Sequence, residues 1–264
     1  MGRDGIHITH WGDGGSRVVM VHGSAQGSTI GGDKHFPRQQ SLAAQGWQLL
    51  VPDRPGHGRS PAPGRPDDAA IDGVWVADLL GEGAHLVGHS FGGAVALAAA
   101  ARRPEAVRSL TVIEPALQKL AIASPHVRRL VLTMIRINLF SLSDASRIRK
   151  ITKLLGIPEE IRGGKDAAEL AALGRGMRKI RVPGKADIER ELGVIRDAGI
   201  PFMVVSGGWN PAFEATCDAV AAAGGGRRLV IASPHHFPQN ISEEFNETLD
   251  AFLREADGKR AAAA

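Results

Sequence analysis

Residues 86–93 carry an apolar run through Gly88-His89-Ser90-Phe91-Gly92, a Gly-x-Ser-x-Gly that passes directly into the alanine-rich stretch 94–101. Strand-like patterning therefore gives way to helix-like patterning with almost no connecting loop. Glycines permit so abrupt a reversal, which leaves Ser90 at the apex of a strained turn, its hydroxyl exposed and its neighbouring N–H groups at a helix start. Gly92, Gly93 and Ala94 are small enough for that helix to pack closely on the strand. The chain contains 33 glycines, so the pentapeptide alone carries little information. Agreement of strand, turn and helix around it makes Ser90 a candidate nucleophile.

Short apolar runs rich in β-branched residues recur at 18–21, 49–51, 85–87, 110–113, 202–205 and 229–231, separated by helix-like segments. Such alternation predicts an α/β fold with a mainly parallel, doubly wound sheet covered on both faces, and residues 6–10 are expected to add an edge strand. Ligand crevices of open sheets lie at the carboxyl ends of the strands. Ser24, Asp53, Ser90, Glu114, Asn210 and His236 all fall there. Between Pro115 and Ile200 the alternation stops. Val127, Leu130, Val131, Met134, Ile135 and Ile137, then Ile148, Ile151, Leu154 and Leu155, recur at helical spacing, and residues 187–196 are expected to return the chain to the sheet as a helix.

Two further stretches extend the pattern. Residues 17–21 run into His22-Gly23-Ser24, and residues 47–51 run into Pro52-Asp53-Arg54-Pro55-Gly56-His57-Gly58-Arg59-Ser60. Taken in order with the Ser90 turn, they resemble the α/β-hydrolase superfamily over most of the chain outside its middle. The resemblance implies a core formed by residues 1–115 and 200–264, with residues 116–199 as a helical cap inserted after the sixth strand. It also implies a catalytic triad in the order serine, acid, histidine.

Alignment to the superfamily's last loop places His236 at the base position, with His235 as the competing histidine. At the usual acid position, after the seventh strand, the chain has Asn210. A neutral amide cannot stabilise an imidazolium, and some superfamily members carry the acid after the sixth strand, where this chain has Glu114 followed by Pro115. Glu114 is thus the expected acid and Glu214 the weaker alternative. The backbone N–H groups of Ser24 and Phe91 are expected to form an oxyanion hole.

These residues imply acyl transfer to water through an acyl-enzyme on Ser90, with a carboxylic ester or lactone of apolar body as the expected small-molecule substrate. Thioesterase and carbon–carbon hydrolase chemistry are alternatives, as are the superfamily's non-hydrolytic members: hydroxynitrile lyases, peroxidase-like enzymes and ligand-binding receptors. Serine at position 90 counts against the carboxylate-nucleophile dehalogenases and epoxide hydrolases. Trp209, Met134 and Phe140 are candidate pocket residues, although helical spacing also fits the last two to the packing of the cap itself. The chain has no tyrosine to polarise a carbonyl.

The single cysteine, Cys217, excludes an internal disulfide and a cysteine metal site, and no metal or organic cofactor is implied. Residues 116–199 hold 17 Lys and Arg against 9 Asp and Glu, while the whole chain has a net charge of +4. This basic excess reads as a solvated helical face. Aromatic content of 5% and the lack of a recognition module argue against nucleic acid. No stretch of eighteen apolar residues occurs, and Arg3, Asp4, His7 and His10 interrupt the start where a signal peptide needs an apolar segment. A cytoplasmic protein without an integral membrane segment is expected. The oligomeric state is left open, and residues 258–264 are expected to fray.

Overall fold

The computed structural model describes residues 5–158 and 166–263. In chain order the elements are β1 (Ile8–Trp11), β2 (Arg17–Val21), the short helix α1 (Gly32–His35), β3 (Gln48–Pro52), α2 (Ala69–Leu79), β4 (Ala84–His89), α3 (Phe91–Arg102) and β5 (Val107–Ile113). Four helices follow: α4 (Pro125–Phe140), α5 (Asp144–Leu154), α6 (Ala167–Lys179) and α7 (Lys185–Asp197). The chain then forms β6 (Phe202–Ser206), α8 (Pro211–Gly224), β7 (Arg227–Val230) and α9 (Glu244–Ala263).

The seven described strands form one sheet in the order β1-β3-β2-β4-β5-β6-β7. Only the edge strand β1 is antiparallel; the other pairings are parallel. Alternation along β2 shows why both faces need cover. Val19 and Val21 enter one core with Leu86 of β4 and with Trp75, Leu97, Ile188, Leu192 and Cys217, which α2, α3, α7 and α8 supply. Val18 and Met20 enter the other with Phe36, Trp47, Phe245, Leu249 and Phe252. Each strand thus contributes side chains to two apolar layers, the arrangement of a doubly wound sheet.

Register sets the position of the site. His89 on β4 is level with Ile113 on β5, which is level with Val205 on β6. Ser90 and Glu114, the residues that follow, leave the sheet side by side at its carboxyl edge, next to Ser206 at the end of β6.

Helices α4 to α7 lie between β5 and β6. This insertion follows what the sequence reading counts as the sixth strand; in the observed chain it follows the fifth. Helix α4 packs on α8 through Val127, Leu130 and Ala212, and α5 on α6 through Ile148, Leu170 and Leu173. Helix α7 buries Ile188, Leu192 and Ile195 in the first core. Side-chain caps start several helices: Asp68 accepts from Ala70 and Ile71 at α2, Ser143 from Ser146 at α5, and Asp166 from Ala168 and Glu169 at α6.

Two expectations need correction. Residues 258–263 continue α9 instead of fraying, because alanine has the highest intrinsic helix propensity and extends an existing helix without tertiary partners. Phe140, expected in a pocket wall, lies on the surface of the described residues, 74% exposed at the end of α4. It lies six residues beyond Met134, a rotation of about 240° in an α-helix, so the two side chains face different directions. Among the described residues no helix is long and apolar enough to cross a membrane.

Candidate active site

Ser90 joins β4 to α3 with φ 56° and ψ −122°, a conformation that L-residues seldom adopt. Three hydrogen bonds hold it there. Its N–H donates to the Ile113 carbonyl at 2.9 Å, and its carbonyl accepts from Gly93 and Ala116, each at 2.9 Å. Close packing around the turn demands glycine. A Cβ on Gly92 would lie 2.1 Å from the Val21 carbonyl oxygen, and one on Gly23 would lie 2.7 Å from the Ser90 Cβ. The Gly-x-Ser-x-Gly and His-Gly-Ser segments are therefore two halves of one packed turn.

The loop after β7 brings His236 to this turn. His236 Nε2 lies 2.9 Å from Ser90 Oγ, and its Nδ1 lies 2.5 Å from Glu114 Oε2. With Nδ1–H donating to the carboxylate, Nε2 is left to accept the serine proton. Glu114 is fully buried and has φ 40°. Its carboxylate is held by two further donors: the Gly207 N–H at 2.8 Å to Oε1, and the Trp209 indole N–H at 2.9 Å to Oε1 and 3.1 Å to Oε2. These donors satisfy the oxygens of a carboxylate shut off from water.

The rival residues are occupied elsewhere. Asn210 caps α8, its side-chain oxygen accepting from Ala212 N–H at 2.9 Å. Glu214 accepts from Ser206 Oγ at 2.8 Å, Gly208 N–H at 3.0 Å and Arg228 Nη2 at 2.6 Å. His235 faces its own loop, with Nδ1 accepting from Phe237 N–H at 3.2 Å.

Ser24, with φ 82°, lies beside Ser90 in two cavities that reach the serine, and Phe91 lines one of them. The first cavity runs past His35, His89, Thr152 and Phe237. The second is bounded by Leu130, Met134, Leu155, Ile180, Val182 and Phe213. Trp209 is not among the residues lining either one; it stands behind His236 as a donor to Glu114, and its ring packs on Phe213 at 5.4 Å. Sequence reasoning also missed Gly207. The available signal was the Gly-Gly-Trp following β6, where a glycine amide and an indole N–H both reach the crevice.

Histidines underlie the site. His22 donates from Nδ1 to the Gly23 carbonyl at 2.7 Å and accepts at Nε2 from Arg54 N–H at 2.9 Å, fixing the loop that carries Ser24. His89 donates from Nε2 to the His236 carbonyl at 2.7 Å, holding the backbone of that residue. Burial, reinforced by neighbouring positive groups, keeps His22, His35, His57 and His89 well below the usual imidazole range, and so neutral. Beneath them the fully buried Arg54 pairs with Asp67 at 2.6 Å. Asp53 accepts from the N–H groups of Gly32 and Arg59, at 2.8 and 2.9 Å, and so braces the start of α1. Among the described residues no group of three or more His, Cys, Asp or Glu is arranged to hold a metal ion.

A family model described as alpha/beta hydrolase fold matches residues 16–156. Over 136 residues the chain is 36% identical to Lipase LipV of Mycobacterium tuberculosis, covering 49% of this chain and 48% of that protein. Over 107 residues it is 37% identical to 2-hydroxymuconate semialdehyde hydrolase of a Pseudomonas species, covering 38% of this chain and 36% of that protein. The chain thus spans about half or less of the length of these curated relatives. A carboxylesterase structure from Nitrososphaera gargenis is similar with a TM-score of 0.69 over 96% of each chain at 15% identity, a likeness of fold.

Proposed function

The chain belongs to the alpha/beta hydrolase fold family, and from that premise we propose that it is a serine hydrolase that cleaves a carboxylic ester or lactone of apolar body. The observation carrying this reading is the unbroken chain of contacts from Ser90 Oγ through His236 to Glu114. In the proposed cycle Ser90 Oγ attacks the carbonyl while His236 Nε2 takes its proton. Glu114 stabilises the imidazolium, and the Ser24 and Phe91 amides stabilise the oxyanion. His236 then protonates the leaving group and activates water against the acyl-enzyme. The apolar cavity around Leu130, Met134 and Phe213 supports an apolar substrate arm. Residues 116–199 act in this reading as the cap over the core of 1–115 and 200–264, with α7 returning the chain to the sheet.

Likeness to the semialdehyde hydrolase favours a second reading, cleavage of a carbon–carbon bond in a ketone by the same residues. Labelling with a fluorophosphonate, followed by assay on p-nitrophenyl esters of graded chain length and on 2-hydroxymuconate semialdehyde, separates the two. Ester turnover with labelling abolished in Ser90→Ala is the expected result. Labelling that persists in Ser90→Ala rejects the nucleophile, and turnover confined to the semialdehyde selects the second reading.

A further inference from the structure

Four histidines, His22, His35, His57 and His89, form a continuous group with His236 of the candidate site, and the five differ in how their ring nitrogens are used. His22 and His57 have both nitrogens engaged by their own loops: His57 donates from Nδ1 to the Pro55 carbonyl at 3.1 Å and accepts at Nε2 from Arg54 at 3.2 Å. His236 bridges Ser90 and Glu114. His89 uses Nε2, and its Nδ1 has no partner among the described residues. Among the described residues His35 has no partner at either nitrogen, although it is only 3% exposed. Two unpaired polar atoms on one buried ring cost free energy, and such a group calls for a physical reason.

The position of His35 supplies one. It lines the same cavity as Ser90, together with His89 and Thr152. Thr152 Oγ1 is already committed to the Arg149 carbonyl at 3.1 Å. His35 is also held rigidly: Asp53 braces the first turn of α1, Asn240 Nδ2 donates to the His35 carbonyl at 3.0 Å, and the His22 ring stacks on it at 4.9 Å. A fixed ring loses little freedom on binding, so its hydrogen bonds discriminate strongly between ligands.

We propose that His35 is a specificity-determining residue, hydrogen-bonding an uncharged hydroxyl or amide group on one arm of the substrate while the second, apolar arm occupies the cavity around Leu130, Met134 and Phe213. This inference rests on the serine hydrolase reading above and deepens it. A neutral imidazole offers one donor and one acceptor, and His89 Nδ1 adds an acceptor, a set that matches a hydroxyl or amide, which both gives and takes a hydrogen bond. A carboxylate, which only accepts, would face His89 Nδ1 without a proton between them. Burial among His22, Arg54 and His236 keeps the ring in this neutral form.

The test uses ester pairs of matched length. For the acyl arm these are p-nitrophenyl hexanoate and p-nitrophenyl 3-hydroxyhexanoate; for the alcohol arm, the hexanoates of 1-butanol and of 1,3-butanediol. Wild-type protein is expected to favour the hydroxylated member of one pair by about tenfold or more in kcat/KM, chiefly through KM. His35→Phe brings that ratio toward one, and His35→Asn, which keeps a donor and an acceptor, retains a larger part of it. A wild-type ratio near one in both pairs overturns the proposal, as does a ratio that survives His35→Phe. Should His35→Phe not fold, the wild-type ratio and the His35→Asn ratio decide. Turnover of the plain esters that depends on Ser90 but shows no hydroxyl preference rejects this inference alone. Absence of any ester turnover by wild type rejects the hydrolase reading and this inference with it.

Discussion

Ser24, Ser90 and Glu114 are the non-glycine residues with positive φ among the described residues, at 82°, 56° and 40°. Each costs on the order of 1–2 kcal/mol in backbone strain, and all three lie at the candidate site. Strain of this kind persists only where surrounding bonds determine the conformation. Ser90 has its bonds to Ile113, Gly93 and Ala116, while Glu114 N–H is tied to the Val205 carbonyl at 2.9 Å. The division of labour between Glu114 and Asn210 follows. Glu114→Gln is expected to lower kcat on a p-nitrophenyl ester by about 10²- to 10⁴-fold, since an amide cannot stabilise the His236 imidazolium. Asn210→Ala is expected to change kcat by less than about threefold while lowering stability by about 1 kcal/mol through loss of the α8 cap. Steady-state kinetics and thermal melts on both variants check the pair, and the reverse ranking rejects Glu114 as the acid.

At the scale of elements, the level register of β4, β5 and β6 brings three loop starts together, and α7 carries a cost that pH reveals. Glu191 on α7 is half-buried with Oε2 unpartnered, and burial raises its carboxyl from 4.5 to about 7, against the pull of Arg190 and with the help of Asp187. A raised folded value means that the associated stability is fully present below pH 4.5 and lost as pH rises through about 7. Glu191→Gln should therefore raise Tm at pH 8 and leave it unchanged near pH 4. Equal effects at the two pH values would show that the carboxyl is solvated. Helix α4 illustrates a different point: Val127 and Leu130 are buried, but Leu132, Ile135 and Leu139 on the same helix are exposed, so helical spacing alone did not say which apolar face turns inward.

Across the whole molecule, five buried histidines set the acid limit. Burial holds His22, His35, His57 and His89 well below 6.5, and His85, hydrogen-bonded to Ser109 and lying beside Asp257, at about 4. The unfolded chain takes up protons near pH 6.5 while the folded one does not, so stability is complete above pH 6.5 and falls as pH drops toward the folded values. Each histidine contributes up to about 1.4 kcal/mol per pH unit in that window. Urea unfolding at pH 7.5, 6.5 and 5.5 should show a steep loss across the last step. A flat profile would mean that these rings are solvated or already charged in the folded state.

The linear order of residues by itself determined the class of fold, the strand-turn-helix at Ser90 and the candidate group of Ser90, Glu114 and His236, because strand periodicity and turn chemistry are local and each of these residues follows a strand end. Only the tertiary structure decided that Trp209 and Gly207 hold the Glu114 carboxylate, that α9 continues through Ala263 and that His35 enters the Ser90 cavity without partners. Those outcomes depend on distances between residues far apart in the chain, and on which polar atoms remain unpaired after every element has packed. Neither quantity exists until the chain has closed on itself.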